Sequence, residues 1–279
     1  MKSIRTSSLF HYTDYITLKR ILVEGLIPNY CSEDLSVGDT DFVIGLPMIC
    51  FCDIPLTRTA ELCERYGNFA IGLSKKWALQ NRINPVFYAA DSSIIVSVRF
   101  YRSYETLLRT QVANSGGNMH SIPIDLNNPS SVQNIAPFFN LNNAYAANRV
   151  LFGNLKRYES EWQGEPLINY VENEWRFVVG ESEDIQWFWR REDYMAWRGD
   201  VRKQKPKPTE VLKNHKLNFS PNDITHIIVQ TEDQVARMID FIDDSKFGHI
   251  GGNEETPSDN DRKRLISKII SQERIAKDF

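Results

Sequence analysis

The sequence predicts an α+β domain built on a mixed or antiparallel β-sheet, and three observations predict it. Short runs rich in β-branched and aromatic residues are bounded by Gly, Pro, Asp or Asn, as strands are. Segments with the apolar spacing of helices lie among them, and the two kinds interleave irregularly, unlike a βαβ series. No G-x-G-x-x-G or G-x-x-x-x-G-K-[ST] occurs in the chain, so neither a dinucleotide-binding crossover unit nor a P-loop is supported.

The first strand is LFHYT (9–13). The helix YITLKRILVEG (15–25) follows, with Ile16, Ile21 and Leu22 in partial helical spacing and Gly25 as its stop. PMICFCDI (47–54) and NFAIGLS (68–74) read as strands, separated by a helix over LTRTAELCERYG (56–67) and followed by one over SKKWALQNR (74–82). SIIVSVRFY (93–101) reads as a strand and FYRSYETLLRTQVAN (100–114) as a helix. Residues 115–135, rich in Gly, Asn, Ser and Pro, read as a loop. EWRFVVG (174–180) and ITHIIVQ (224–230) complete the strands, and EDQVARMIDFIDD (232–244) is a further helix. The chain thus divides into one domain over 1–245, a linker over 246–260, and an amphipathic helix over 261–279. In that last helix Leu265, Ile269 and Ile270 share one face.

The 279 residues suffice for a large core. Thirty-three Lys and Arg stand against 36 Asp and Glu, a formal net charge of -3, which excludes a globally basic nucleic-acid binder but allows a local basic patch. No apolar run approaches the roughly 20 residues of a membrane span, and the N-terminus lacks the apolar stretch of a secretory signal, so a cytoplasmic protein is expected. The four cysteines, Cys31, Cys50, Cys52 and Cys63, form no C-x-x-C pair. Buried, reduced thiols are expected in place of a metal site.

Two short stretches carry the candidate chemistry. His11 and Tyr12 sit side by side in an apolar strand, where a hydrogen-bonded core role competes with a functional one. Far along the chain stands YVENEWRFVV (170–179). As a strand it projects Glu172, Glu174 and Arg176 from one face, within about 14 Å, and Trp175 and Phe177 from the other. Two carboxylates and a guanidinium suit a cleft that stabilises a cation, with Arg176 fixing a carboxylate's orientation; a solvated strand face is the alternative. Residues 186–216 concentrate Trp and cations, among them Arg190, Arg191, Trp197, Arg198 and Lys203. That mixture suits single-stranded nucleic acid, against the alternative of Trp packing followed by a solvated Lys-Pro linker. Asp53, in DIPLT, reads as the cap of the next helix.

LFHYTD, LKRILVEGLIP, ICFCDIPL and YGNFAIGLSKKWALQNRINPVFY together resemble the AbiGi-type abortive phage-resistance family over about residues 8–90, and the Glu-rich strand extends the likeness to 170–180. The order of a His-Tyr strand, a helix ending in Gly-Leu and a late Glu-x-Glu strand more remotely resembles the ADP-ribosyltransferase fold, including DarT-like toxins that modify nucleic acid. That resemblance implies a split sheet core and NAD as substrate, with no metal. It implies that His11 holds the ribose next to nicotinamide and that Tyr12 or Thr13 positions the nicotinamide amide. Glu174, or Glu172 after it, would oppose positive charge on the sugar, and Glu172 or Arg176 would assist the acceptor. No Ser-Thr-Ser motif is found, and Tyr30, Tyr66 and Phe69 all remain candidates to stack on nicotinamide. The expected function is an NAD-dependent ADP-ribosyltransferase toxin of phage defence. Its acceptor would be RNA or single-stranded DNA, and its partner a cognate antitoxin, with a chaperone as a further candidate. A non-catalytic antitoxin and a metal-dependent nuclease using Asp53, Glu172 and Glu174 are the rivals.

Overall fold

The computed structural model describes residues 6–58, 60–114, 149–201, 208–244 and 247–278. Its centre is an eight-stranded mixed sheet. β1 (Ser8–Thr13) pairs antiparallel with β4 (Phe69–Ser74) along its whole length. β3 (Val43–Cys52) pairs antiparallel with β2 (Asn29–Asp34) and with β10 (Glu174–Val178). The two-residue β5 (Asn84–Pro85) borders β10, and β11 (Ile224–Val229) borders β4. β12 (Ile269–Ser271) closes that side as the parallel partner of β11. Two small pairs stand apart: β6 (Phe87–Ala89) with β7 (Leu155–Arg157), and the hairpin of β8 (Glu159–Trp162) and β9 (Glu165–Ile168).

One seam positions the site. Met48 pairs with Val178 on one edge and with Asn29 on the other, while Cys52 pairs with Glu174 and with Phe10. β1 and β2 therefore both join the edge of β3 opposite β10, β2 near the start and β1 at Cys52. Between those two points the β3 edge has no partner strand, so the sheet is split there.

α1 (Tyr15–Glu24) is capped by the Asp14 carboxylate, which accepts from the Thr17 amide, and it ends at Gly25 as expected. It buries Leu18, Ile21 and Leu22 against Leu9, Ile49, Phe51, Ile71 and Trp77. α2 (Ala60–Tyr66) and α3 (Lys75–Gln80) fall inside their expected segments, α3 capped by Ser74. α6 (Glu232–Asp243) opens with the Thr231–Gln234 capping box; α5, over Arg191–Val201, packs its Tyr194 ring against Gly45 of β3.

Three segments differ from expectation. Residues 93–101 belong to one long helix, α4 (Asp91–Asn114), in which Ile94, Val98 and Tyr101 are buried at helical spacing while Val96 and Phe100 stay exposed. The run of β-branched residues suggested a strand, and the three-to-four-residue burial period overrides it. Of the expected 246–260 linker the described residues 247–260 are anchored, with Phe247 and Ile250 buried and the Gly251 amide donating to Leu22 O at 2.7 Å. The tail is two helices, α7 (Asp259–Ile266) and α8 (Gln272–Asp278), separated by β12, so Leu265 is a helix residue while Ile269 and Ile270 are strand residues. Pairing with β11 accounts for the break. The expected loop at 115–135 lies outside the described residues. Among the described residues no helix is long and apolar enough to cross a membrane.

Candidate functional site

A cleft of about 540 Å³ opens through the split between β1 and β2. Its lining joins the expected start and end of the site: His11, Tyr12, Thr13, Tyr66, Glu172, Glu174 and Arg176. Phe10, Cys52 and Glu174 are directly opposed and share one sheet face, as do Cys50 and Arg176. His11, one residue from Phe10, starts on the other face, where its ring meets Phe51 at 5.8 Å. The two groups reach one cleft because the split leaves a passage between the faces.

The His11 imidazole lies against the unpaired β3 edge. Its Nδ1 is 2.8 Å from the Cys50 carbonyl oxygen, which can only accept, so Nδ1 carries the proton and donates. Burial pushes the His11 pKa down, against a smaller upward effect of that bond. The ring is held neutral, with the Nε2 lone pair free of this contact. Among the described residues the Tyr12 hydroxyl is buried with no hydrogen-bond partner, and burial raises its pKa.

The carboxylates are built into a buried ion network. Arg176 is fully buried; its Nε donates to Glu174 Oε1 at 2.6 Å and its Nη2 to Glu174 Oε2 at 3.1 Å, a two-point clamp. The same Nη2 donates to Glu33, and Nη1 reaches the carbonyls of Gly153 and Leu155 at 3.3 and 3.4 Å. Lys156 Nζ bridges Glu174 Oε2 at 2.7 Å and Glu172 Oε2 at 3.0 Å. Glu172 Oε1 also accepts from Arg65 at 2.6 Å and from the Tyr66 hydroxyl at 3.0 Å. Three carboxylates thus meet three cations. Burial alone would raise the Glu174 pKa, but Arg176 and Lys156 outweigh it and hold the carboxyl well below the usual range. Glu33 goes the other way, since burial outweighs the Arg176 charge.

The solvated-face reading of 170–179 is therefore wrong: Glu172, Glu174 and Arg176 are all buried. The single-strand reading is also wrong. Asn169–Glu172 is a 3₁₀ turn and Asn173 has φ 43°, a left-handed kink that delivers Glu172 to the cluster from outside the strand. Tyr30 does not line the cleft; its ring lies 4.3 Å from Trp197 and its hydroxyl donates to Gln186 O. Phe69 is buried in the core beside Tyr15, and Tyr66 alone of the stacking candidates lines the cleft. Among the described residues the Asp53 carboxylate makes no helix-capping bond: it holds Lys75 at 2.7 Å and accepts from Thr6. That engagement, and the cations on Glu172 and Glu174, leave the nuclease trio without a shared opening for a metal. All four cysteines are free; burial and the adjacent Glu174 push the Cys50 thiol far up, an inert environment.

The aromatic and basic stretch packs inward. Trp187 and Tyr194 are buried, and Trp189 stacks on Tyr101 at 4.6 Å. Trp197 is half-buried among Tyr30, Phe188 and Tyr194. Arg191 binds Asp34 and Asp41, while Arg190 and Arg198 are exposed; Lys203 lies outside the described residues. Among the described residues of the stretch these aromatics stabilise the fold.

Glu33, Lys156 and Arg65 were missed by sequence reasoning. Glu33 follows Cys31 at strand spacing in NYCSED, and Lys156 is the middle residue of the short strand β7. Those are strand signals, but neither identifies a partner 143 or 18 positions away.

The fold and site define an α+β protein with a split sheet whose cleft holds a buried, charge-balanced acidic cluster. The family model "Putative abortive phage resistance protein AbiGi, antitoxin" matches residues 24–230, and the chain belongs to this AbiGi family. It is 28% identical over 247 residues to the abortive phage resistance protein AbiGi of Lactococcus lactis subsp. cremoris, covering 84% of this chain and 89% of that protein. No solved structure is a significant match to the chain.

Proposed function

We propose that this member of the AbiGi family is an NAD-dependent ADP-ribosyltransferase acting in abortive infection, with the β1–β2 cleft as its active site. The observation that carries the reading is the meeting of His11 and Glu174 in one cleft. The cleft's volume falls within the range of small-molecule sites. NAD supplies the ribosyl–nicotinamide bond, whose cleavage leaves positive charge on the sugar. In this reading His11 keeps its proton on Nδ1 and offers Nε2 to a ribose hydroxyl. Glu174, ionised and aimed by the Arg176 clamp, opposes the positive charge where water is excluded. Nicotinamide departs as a neutral molecule, the acceptor bonds to the sugar carbon it leaves, and Glu172 receives the acceptor's proton, provided Lys156 withdraws.

The second reading is the antitoxin of the family description, and one observation favours it: Glu174 already accepts from Arg176 twice and from Lys156 once. A carboxylate neutralised by its own chain suits a retained fold without transfer chemistry. Incubation of the full chain with labelled NAD and separate pools of protein, RNA and DNA tests both. Label in one pool, lost in Glu174→Gln with an unchanged circular dichroism spectrum, supports transfer. Absence of both label and NAD binding with the wild-type chain overturns it and leaves the antitoxin reading.

A further inference from the structure

The charged side chains that line the cleft are Arg20, Glu33, Lys156, Glu172, Glu174 and Arg176. All but Arg20 belong to the ion network, where Arg65 joins Lys156 and Arg176 to balance the three carboxylates. Among the described residues the Arg20 guanidinium makes no ion pair and no hydrogen bond. It is the uncompensated charge of the cleft.

The helix aims it there. Thr17, Arg20 and Ile21 line the cleft from one face of α1, at the three- and four-residue spacing of neighbours on a helix surface. Beneath them Leu18 and Leu22 pack on the side of the sheet that carries Ile49 and Phe51, the side the His11 ring also takes. Glu174 and Arg176 project from the other side. The cleft therefore joins a free cation on one side of the split to a neutralised network on the other.

The acids nearest Arg20 in sequence are engaged elsewhere. Asp14 caps α1, accepting from the Thr17 amide at 2.8 Å and the Thr17 hydroxyl at 2.7 Å. Glu24, one turn beyond Arg20, lines a neighbouring groove with Lys213 and Lys216. Lys19 lies over the Phe241 ring at 4.3 Å, so the adjacent cation is used in packing. On β2, the Asn29 side-chain oxygen accepts from the Tyr30 amide at 3.0 Å. Its amide nitrogen is a second cleft-lining donor with no acceptor among the described residues.

An unengaged guanidinium offers a planar fork of donors that matches a phosphate at two points. The network side would repel one, since its cations are already held by Glu33, Glu172 and Glu174. We infer that the α1 side of the cleft is a phosphate site and that Arg20 is the residue that holds the anion. Joined to the transferase reading, on which this clause alone rests, the site takes the diphosphate of NAD and leaves the ribose beside nicotinamide at His11 and Glu174.

Isothermal titration calorimetry on the full chain tests it with ADP-ribose, inorganic pyrophosphate and adenosine. The wild-type chain should bind ADP-ribose about tenfold or more tightly than adenosine, with an affinity that falls as salt is added. Arg20→Gln should weaken ADP-ribose and pyrophosphate by about tenfold, leave adenosine unchanged and reduce the salt dependence; Arg20→Lys, which keeps the charge without the fork, should recover part of the loss. Lys76→Gln, an exposed cation outside the cleft, should change nothing. Equal ADP-ribose affinity in Arg20→Gln, an equal loss for adenosine, or no binding of ADP-ribose by the wild-type chain overturns the inference. Arg20 is exposed, so its variants should melt with the wild type. The two readings fail separately. Arg20-dependent binding of ADP-ribose without transfer of label overturns the transferase alone, whereas transfer by Arg20→Gln at the wild-type KM for NAD overturns the phosphate site alone.

Discussion

Arg176→Met removes the cation that the buried Glu174 and the partly buried Glu33 carboxylates share while keeping a side chain of similar length. Glu174 would lose both arms of its clamp, Glu33 would lose its partner, and the carbonyls of Gly153 and Leu155 would lose a donor. Breaking a buried pair by deleting one member costs about 3–5 kcal/mol, because the remaining charge stays buried. With a urea dependence of about 3 kcal/mol per molar, the unfolding midpoint should fall by about 1 to 1.7 M at pH 7. The pH dependence follows from the sign of each shift. In the wild-type chain Glu174 has a depressed folded pKa, so it stabilises above its unfolded value near 4.5, and that contribution is lost as pH falls through the folded value. Without Arg176 only Lys156 still opposes burial, so the carboxyl is depressed less and the variant has less of this contribution to lose on acidification. The deficit should therefore be greatest at neutral pH and shrink below about pH 4.5. Urea titrations followed by far-ultraviolet circular dichroism and tryptophan fluorescence measure both. A midpoint shift under about 0.3 M, or a deficit that ignores pH, would refute the argument that this arginine neutralises the cluster.

Two further predictions concern the cleft walls. Burial lowers the His11 pKa, so the wild-type chain should lose stability as pH falls below 6.5, by at most about 1.4 kcal/mol per pH unit from this one group; His11→Asn, which retains a donor for Cys50 O, should flatten that slope in urea titrations from pH 7 to 5. Gly67→Ala places a Cβ 2.4 Å from the Thr13 carbonyl oxygen at φ 105°, and it should cost about 2 kcal/mol or more, read as a melting point lower by about 5 °C.

Much of the site was legible because its chemistry sits in strands whose neighbours are strongly patterned. His11, Glu174 and Arg176 could be singled out from alternation and residue type, and the sheet brings the first and the late strand one strand apart, on either side of β3. The network around them was not legible. Lys156 and Glu33 are ordinary charged residues in short strands, and their value comes from pairings across 18 and 143 positions. The left-handed Asn173 was equally hidden, since Asn fits many turns and here bends the chain just before β10. Residues 186–198 were ambiguous for the opposite reason: aromatics among arginines serve packing and base stacking alike, and the burial of Trp187 and Tyr194 shows the packing. The tail was misassigned because Ile269 and Ile270 fit either a helix face or a strand, and only β11 selects the strand.

The seam at β3 has a mechanical meaning. The block β12–β11–β4–β1 is joined within the sheet to the block β2–β3–β10–β5 by the Phe10–Cys52 pairing, with the His11 ring latched onto the Cys50 carbonyl beside it. Fewer backbone bonds cross this line than cross any other boundary between the long strands. Side-chain packing takes over there, since Leu9 and Ile71 of one block meet Ile49 and Phe51 of the other beneath α1, and a molecule seated in the opening would act as mortar between the two blocks.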